Sequence, residues 1–475
     1  MSQHNKQFYI DGAWVDPIEP ALFPVINPAN ESVIGEISLG SRKDIDKAVA
    51  AARKAFLKYS QESRAARILL LKRIIDAFER RQEMLAQAIT QEMGSPITFS
   101  RQVQTINAVN HFKEMVEVLE QYEFVTSIGR AQIVREPIGV CGLITPWNWP
   151  LNLTCSKLAS ALAAGCTVVL KPSEVAPLSS ILLAEVLHEA AVPAGVFNLV
   201  NGEGPVVGDA IASHPDVDMV SITGSTRAGV LVAKAAATTV KRVTQELGGK
   251  SANIILRGTD LEKTVKAGVM RCYTNAGQSC QAPSRMLVHR DDYDAAIAIA
   301  KQTADAIVQG NPAEERVQMG PVVSKAQYDM IQGMIQSGID QGATLISGGV
   351  GLPEDMLTGY YVRPTIFADV RPDMSIARDE IFGPVLSILP YDTEDQAVQI
   401  ANDSPYGLAG YVQAATMDEA RRVGLKIRAG RIYLNGTPGD NRVPLGGYKQ
   451  SGNGREHGVY GLESYLEVKA LLGAA

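Results

Sequence analysis

The chain has 475 residues, 46% of them hydrophobic and 20% charged, with a formal net charge of −6 and a mean hydropathy of zero. At roughly 100–200 residues per domain the length implies two or three units, and the balance is that of a soluble globular protein with no apolar run of membrane-spanning length. Lysines and arginines are scattered, not clustered as neutralising a phosphate backbone requires, so neither a nucleic acid nor a membrane is an expected partner.

The N-terminal stretch "MSQHNKQFYIDG" lacks the basic run and apolar core of a secretory signal, which makes the expected location cytoplasmic. "SRKDIDKAVAAARKAFLKYS" and "RAARILLLKRIIDAFERRQEMLAQAITQEMG" carry apolar residues at three- and four-residue spacing, and the second stops at Gly94, followed by Pro96. They predict amphipathic helices. "YEFVTSIGRAQIVREPIGV" then reads as an extended hairpin turning at Gly129. From Gly139 short apolar runs, "GVCGLIT", "CTVVLKPS", "VFNLVNG", "VDMVSITGS" and "SANIIL", end in polar or glycine turns with helical stretches between them. This predicts a parallel sheet covered on both faces.

A second alternation follows Cys280, with "SRMLVHR", "ATLISGG", "TIFADV", "PVLSILPY" and "GRIYLNG" as strands, and the chain ends in the extended "ESYLEVKALL". The two extended pieces outside the sheets are either edge strands for subunit pairing or a decorative hairpin.

The five cysteines form no C-x-x-C pair and the six histidines are spread singly, which predicts free thiols and no metal site. Cys280, in "NAGQSCQAPSR", lies among small and polar residues, so it is a buried structural thiol or a nucleophile activated from elsewhere. "TPWNWP" holds Asn148 in a stiff segment, as an oxyanion donor or a cap for the following helix. In "LKPSE", Lys171 and Glu174 can hold ribose hydroxyls or form a solvated pair. "GSTRAG", Gly224 to Gly229, is a G-x-x-x-x-G turn before a helix, suited to a phosphate or simply to a tight turn. Glu246 in "QELGGKS" is a general base or an exposed loop carboxylate. Glu380 and Phe382 in "EIFGPV" offer a carboxylate and a ring to a ribose and a base, or mark an ordinary strand start.

The ordered set "TPWNWP", "LKPSE", "ITGSTRAG", "ELGGKS", "NAGQSCQAPSR", "DEIFGPV" and "PLGGYKQSGNGRE" resembles the NAD(P)-dependent aldehyde dehydrogenase superfamily over Tyr9 to Leu472. The resemblance implies an α/β fold: a Rossmann-type nucleotide-binding domain (1–120 and 139–248), an α/β catalytic domain (249–447) and a β oligomerisation arm (121–138 and 460–475). It makes Cys280 the nucleophile, Glu246 the general base and Asn148 the oxyanion donor, with Lys157 and Glu456 relaying protons. It implies cofactor contacts from Thr145, Pro146, Trp147, Lys171, Glu174, Gly204, Gly208, Gly224, Ser225, Leu247, Gly248, Glu380 and Phe382, and places Trp149, Leu153, Ser279, Gln281 and Leu445 around the aldehyde.

The cofactor so implied is NAD, with NADP possible. Glu174 suits a free 2′-hydroxyl and repels a 2′-phosphate. The partner is a small-molecule aldehyde, an apolar or aromatic one of moderate size, and the assembly a homodimer or homotetramer. Three alternatives stay open: a semialdehyde whose carboxylate binds Arg442, a coenzyme A-acylating reaction, and a non-catalytic structural relative.

Overall fold

The structure, a computed structural model, describes residues 2–474. Among these residues lie two large sheets and two small ones. The first large sheet runs, edge to edge, Gly452–Asn453, Arg242–Glu246, Met219–Thr223, Val140–Ile144, Thr167–Lys171, Phe197–Leu199, Phe8–Ile10 and Ala13–Val15. Its five central strands are parallel, and the pieces at both edges are antiparallel. Val140–Ile144, Thr167–Lys171 and Met219–Thr223 are buried along their whole length, which is why they read as unbroken apolar runs and not as alternating ones.

Side chains leave this sheet in both directions. Cys141 and Leu143 enter a core shared with helices Arg64–Arg80, Thr105–Gln121 and Pro150–Ala164, while Val140 and Ile144 enter another with helix Arg42–Tyr59. From Val140–Ile144 the chain winds outward through Thr167–Lys171 to Phe197–Leu199, then crosses back to lay Met219–Thr223 on the opposite side. The strand order therefore reverses between Val140–Ile144 and Met219–Thr223, and the crevice at the carboxyl ends of these two strands is the position where open α/β sheets bind ligands.

The second large sheet runs Thr344–Ser347, Thr365–Ala368, Val385–Tyr391, Arg285–His289, Ala252–Ile255, Ala409–Gln413 and Arg431–Leu434, parallel except for its first pair. Two expectations are corrected here. "SANIIL" does not extend the first sheet: Ala252–Ile255 is paired on both sides within the second, because "ELGGKS" turns the chain out of one sheet and into the other. Ala409–Gln413 was not anticipated; its "GLAGYVQ" is too broken by glycine to show a strand pattern.

The long periodic stretch after Arg64 is two helices, Arg64–Arg80 and Gln82–Met93, divided at Arg81 (φ −106°, ψ 6°). Gly94 ends the second in a left-handed conformation, φ 78°. The hairpin strands Val125–Ile128 and Ala131–Pro137 pair with each other, and Ala131–Pro137 pairs along its full length with Leu466–Leu472. The N-terminal hairpin Leu22–Ile26/Val33–Ser38 forms the fourth sheet.

Candidate active site

Cys280 lies on the loop between helix Leu261–Tyr273 and strand Arg285–His289. It is the one cysteine among the described residues that is only partly buried. Three consecutive residues before it, Asn275 (φ 58°), Ala276 (φ 53°) and Gly277 (φ 72°), are left-handed. That costs about 1–2 kcal/mol for each residue carrying a Cβ, so the surroundings have to hold the loop. Asn275 Nδ2 donates to the carbonyls of Asn148 (2.8 Å) and Gln278 (3.3 Å). Gln278 donates back to the Asn275 carbonyl at 3.1 Å and accepts from Val323 N–H at 2.9 Å. A Cβ on Gly277 would lie 2.1 Å from the Gly383 carbonyl oxygen, so only glycine fits there.

Asn148 is buried on the segment that leaves strand Val140–Ile144. Of the two roles left open for it, capping is not the one adopted. Helix Pro150–Ala164 starts from Trp149 without a side-chain cap, and Asn148 Nδ2 instead donates to the Gln278 carbonyl at 3.1 Å. Its second amide hydrogen is free for another acceptor.

Glu246 ends strand Arg242–Glu246 and is buried, not a loop carboxylate. Burial pushes its pKa well above the ordinary carboxylate range, the neighbouring Glu456 adds to the rise, and Lys157 opposes it. Lys157 and Glu456 form a buried ion pair, and Ser156 Oγ donates to the other Glu456 oxygen at 3.0 Å. The Cys280 thiol is pushed up to about 12, first by burial, then by Glu380 and Glu246, while the backbone N–H groups of Cys280 and Gln281 act in the opposite direction. Cys280 and Glu246 line the same cavity. Glu380 is itself raised to about 7 by burial and accepts from Gly249 N–H at 2.8 Å.

The glycines nearby fall into two kinds. A Cβ on Gly229 would meet Leu247 at 2.7 Å, on Gly248 the Glu380 carboxylate at 2.3 Å, and on Gly249 the Cys280 carbonyl at 2.3 Å. Packing within the protein demands these three. At Gly204 a Cβ would meet nothing within 4 Å, and at Gly208 and Gly224 nothing nearer than 3.9 and 3.8 Å. Packing does not demand those, and they lie around the crevice where the strand order reverses.

In the same crevice Ser225 caps helix Thr226–Ala236 through Ala228 N–H, leaving the first-turn N–H groups of Thr226 and Arg227 without helical acceptors. Lys171 and Glu174 pair at 2.8 Å. Trp147 meets Phe382 edge to face, ring centres 5.3 Å apart. Thr145 N–H bonds the Lys171 carbonyl at 3.1 Å, which aligns adjacent strand ends.

On the other side of Cys280 opens a cavity of about 830 Å³. Trp149, Leu153, Ser279, Gln281 and Leu445 all line it, with Glu246, Phe99 and a polar mouth of Asn107, Asn110 and Glu114. Cys280 thus lines a cavity of mixed apolar and polar walls, and the strand-order crevice carries the features of a nucleotide site. A family model for the aldehyde dehydrogenase family matches residues 14–471.

The chain belongs to the aldehyde dehydrogenase family.

It is 52% identical over 469 residues to a 3-succinoylsemialdehyde-pyridine dehydrogenase from a Pseudomonas species, covering 98% of each chain. It superposes with a TM-score of 0.99 on aldehyde dehydrogenase C from Pseudomonas syringae, a cysteine-to-alanine variant complexed with NAD+ and octanal, at 51% identity, covering 100% of this chain and 98% of that one. The NAD+ complex of a Bacillus cereus aldehyde dehydrogenase gives 0.95 at 38% identity over 98% and 96%. The sheets described above are the fold of this family.

Within this aldehyde dehydrogenase site, Arg442 lines the cavity but is held by Asp440, with Nη2 to Oδ2 at 2.7 Å and Nε to Oδ1 at 3.0 Å. Other members of the site had not been singled out. Asn275 and Gln278 stand in the Cys280 segment itself, where Asn-Ala-Gly carries the residue types that tolerate left-handed backbone. Tyr433 shares a strand face with Arg431, two residues away. Tyr411 lies on the strand that had no visible pattern. His457, at φ 71° and kept neutral by burial, lies beside His111 with ring centres 4.9 Å apart and the planes tilted by 48°.

Proposed function

We propose that the protein oxidises an aldehyde to its carboxylic acid with NAD as cofactor, by way of a thioester on Cys280. The observation that carries this reading is that Cys280 and Glu246 line one cavity while the Asn148 loop is tied to the Cys280 segment through Asn275. The crevice fits a dinucleotide: free first-turn amides for a diphosphate at Thr226 and Arg227, Lys171 and Glu174 for the adenosine ribose, Glu380 and Phe382 for the nicotinamide end. Glu174 favours a free 2′-hydroxyl over a 2′-phosphate. Bound NAD supplies the hydride acceptor.

With its pKa pushed up to about 12, the resting Cys280 is a thiol and not a thiolate at neutral pH. Glu246, itself shifted toward the protonated form, accepts the thiol proton, and the amides of Cys280 and Gln281 hold the charge left on sulfur. The thiolate attacks the aldehyde carbon, and the oxyanion is met by Asn148 Nδ2 and the Cys280 N–H. One such donor is worth about 3–4 kcal/mol. Loss of hydride leaves the acyl group on Cys280. Glu246 passes the thiol proton on toward the buried Lys157–Glu456 pair and, once free again, deprotonates the water that attacks the thioester carbonyl; collapse of that adduct expels the Cys280 thiolate and releases the carboxylic acid.

An apolar or aromatic aldehyde of moderate size is the substrate this cavity suits, through Phe99, Trp149, Leu153 and Leu445. The octanal bound by the Pseudomonas syringae relative supports that reading. The exposed apolar residues Val125, Ile128 and Val468 of the three-stranded sheet support assembly into a dimer or tetramer. A panel of aldehydes crossed with NAD and NADP, followed by absorbance of the reduced cofactor, tests the activity. Reduction of NAD with at least one aldehyde is expected; none across the panel refutes it.

A further inference from the structure

Three arginines line the cavity beside Cys280, and their partners set them apart. Arg431 commits its guanidinium to the main-chain carbonyls of Val443 (2.8 Å) and Pro444 (3.1 Å). Arg442 is held by Asp440 and is largely exposed. Arg271, in the last turn of helix Leu261–Tyr273, has neither kind of partner. Among the described residues no carboxylate and no main-chain carbonyl accepts from it. It lies instead over two rings, with its guanidinium carbon 4.6 Å from the centre of Tyr433 and 5.0 Å from that of Tyr411. Those rings stack on each other at 4.8 Å and 9°. Their hydroxyls both donate to Gln281, Tyr411 to its carbonyl at 2.8 Å and Tyr433 to its Oε1 at 2.7 Å.

The aromatic faces and the two tyrosine hydroxyls answer part of the cation's charge, but a guanidinium has five N–H donors, so some stay uncommitted, and among the described residues no anion neutralises it. Gln281 is in a matching condition. Tyr433 takes its Oε1, so the Nε2 hydrogens are the part of the carboxamide left to bond a ligand. The residue next to the nucleophile and the uncommitted arginine are thereby fixed to one rigid aromatic pair, on one wall of the cavity.

We infer that Arg271 is a specificity-determining residue: with the Gln281 amide it receives an oxygen acceptor, an oxo group or a carboxylate, that the aldehyde carries beyond its reacting carbon. This rests on the aldehyde oxidation proposed above and adds to it, the apolar wall taking the body of the substrate and Arg271 its acceptor. A donor set built for such a group discriminates strongly against an analogue without it, because the donors are then left unpaired.

The test compares pentanal, 4-oxopentanal and succinic semialdehyde, with NAD, in the unaltered enzyme and in Arg271→Met and Arg271→Lys. In the unaltered enzyme at least one of the two acceptor-bearing aldehydes should exceed pentanal in kcat/KM by roughly tenfold or more. Which of them does so identifies the oxo group or the carboxylate as the group recognised. Arg271→Met should lose roughly ten- to a hundredfold on that substrate, chiefly in KM, with pentanal changed by no more than about twofold, and Arg271→Lys should recover part of the loss. Equal handling of all three by the unaltered enzyme overturns the inference, even if neither variant folds. So does an equal loss on all three in Arg271→Met, which makes Arg271 only a support for the tyrosines. Failure to oxidise any aldehyde, pentanal included, sinks the underlying reaction instead and is distinguishable on that ground.

Discussion

The Asn275 carboxamide donates to the main-chain carbonyl of Asn148 at 2.8 Å, so the loop carrying Cys280 and the loop carrying Asn148, the proposed oxyanion donor, are tied across two sheets. On that proposal Asn275 is a positioning residue for both loops. Asn275→Ala loses the tie and adds a Cβ-bearing residue without Asn's tolerance for φ near 58°. Asn275→Gly loses the tie but keeps the backbone. Both variants should lower kcat by roughly ten- to a hundredfold with smaller changes in KM, since misplacement of about 1 Å has that effect. Full kcat in Asn275→Gly would show that the backbone conformation alone suffices.

The cofactor-free thiol, pushed up to about 12 by burial and by Glu380 and Glu246, should react sluggishly with iodoacetamide. Its alkylation rate should rise about tenfold per pH unit across pH 7–9 as the thiolate fraction grows. Adding NAD should accelerate alkylation at pH 7.5, read by mass of the Cys280 peptide. Rapid, pH-independent alkylation without NAD contradicts the assigned environment.

On the proposed mechanism Glu246→Gln removes the base for both thiol deprotonation and deacylation. A stopped-flow trace should show a slowed first turnover of NADH, and the steady-state rate should fall by roughly 10²–10⁴-fold. Because Glu246 must be deprotonated to act and burial raises its pKa, the steady-state rate of the unaltered enzyme should climb with pH from the acid side. That limb should be missing from the glutamine variant.

Glu92 is fully buried and accepts from Ser179 N–H at 3.1 Å at the start of helix Leu178–Glu189. Burial raises its pKa from 4.5 to about 7. Between these values the folded protein binds the extra proton, so this group's contribution to stability declines as pH rises from about 4.5 to about 7 and is level above. The Tm of the unaltered protein minus that of Glu92→Gln should therefore fall across that window in differential scanning calorimetry. A flat difference refutes the assignment.

Val468 is 66% exposed on strand Leu466–Leu472, in a sheet that also exposes Val125 and Ile128. If that face joins subunits, Val468→Glu should shift the mass measured by light scattering toward a smaller species, while the circular dichroism of the subunit is unchanged. An unaltered mass would remove this face from the assembly.

Much of the first sheet was legible because strands buried on both faces leave continuous apolar runs, as in Val140–Ile144 and Met219–Thr223. The helix before Gly94 was legible because its apolar stripe is periodic and its stop is a left-handed glycine. Ala409–Gln413 was not, since a glycine-broken strand acquires its identity from the neighbours it pairs with, Ala252–Ile255 and Arg431–Leu434.

For the site, the one-dimensional pattern determined which residue types exist for the chemistry: a thiol among small neighbours, a carboxylate before two glycines, an amide in a stiff turn. Only the tertiary structure decided their states. Whether Glu246 is an exposed carboxylate or a buried base depends on desolvation by residues as distant as Glu456. Whether Asn148 caps a helix or bonds the Cys280 segment depends on where the Gln278 carbonyl lies. Arg442 and Arg271 look alike as letters, and they differ because Asp440 neutralises one while the other has two tyrosines and, among the described residues, no anion beside it. Burial and pairing are properties of three-dimensional neighbours, and local sequence does not carry them.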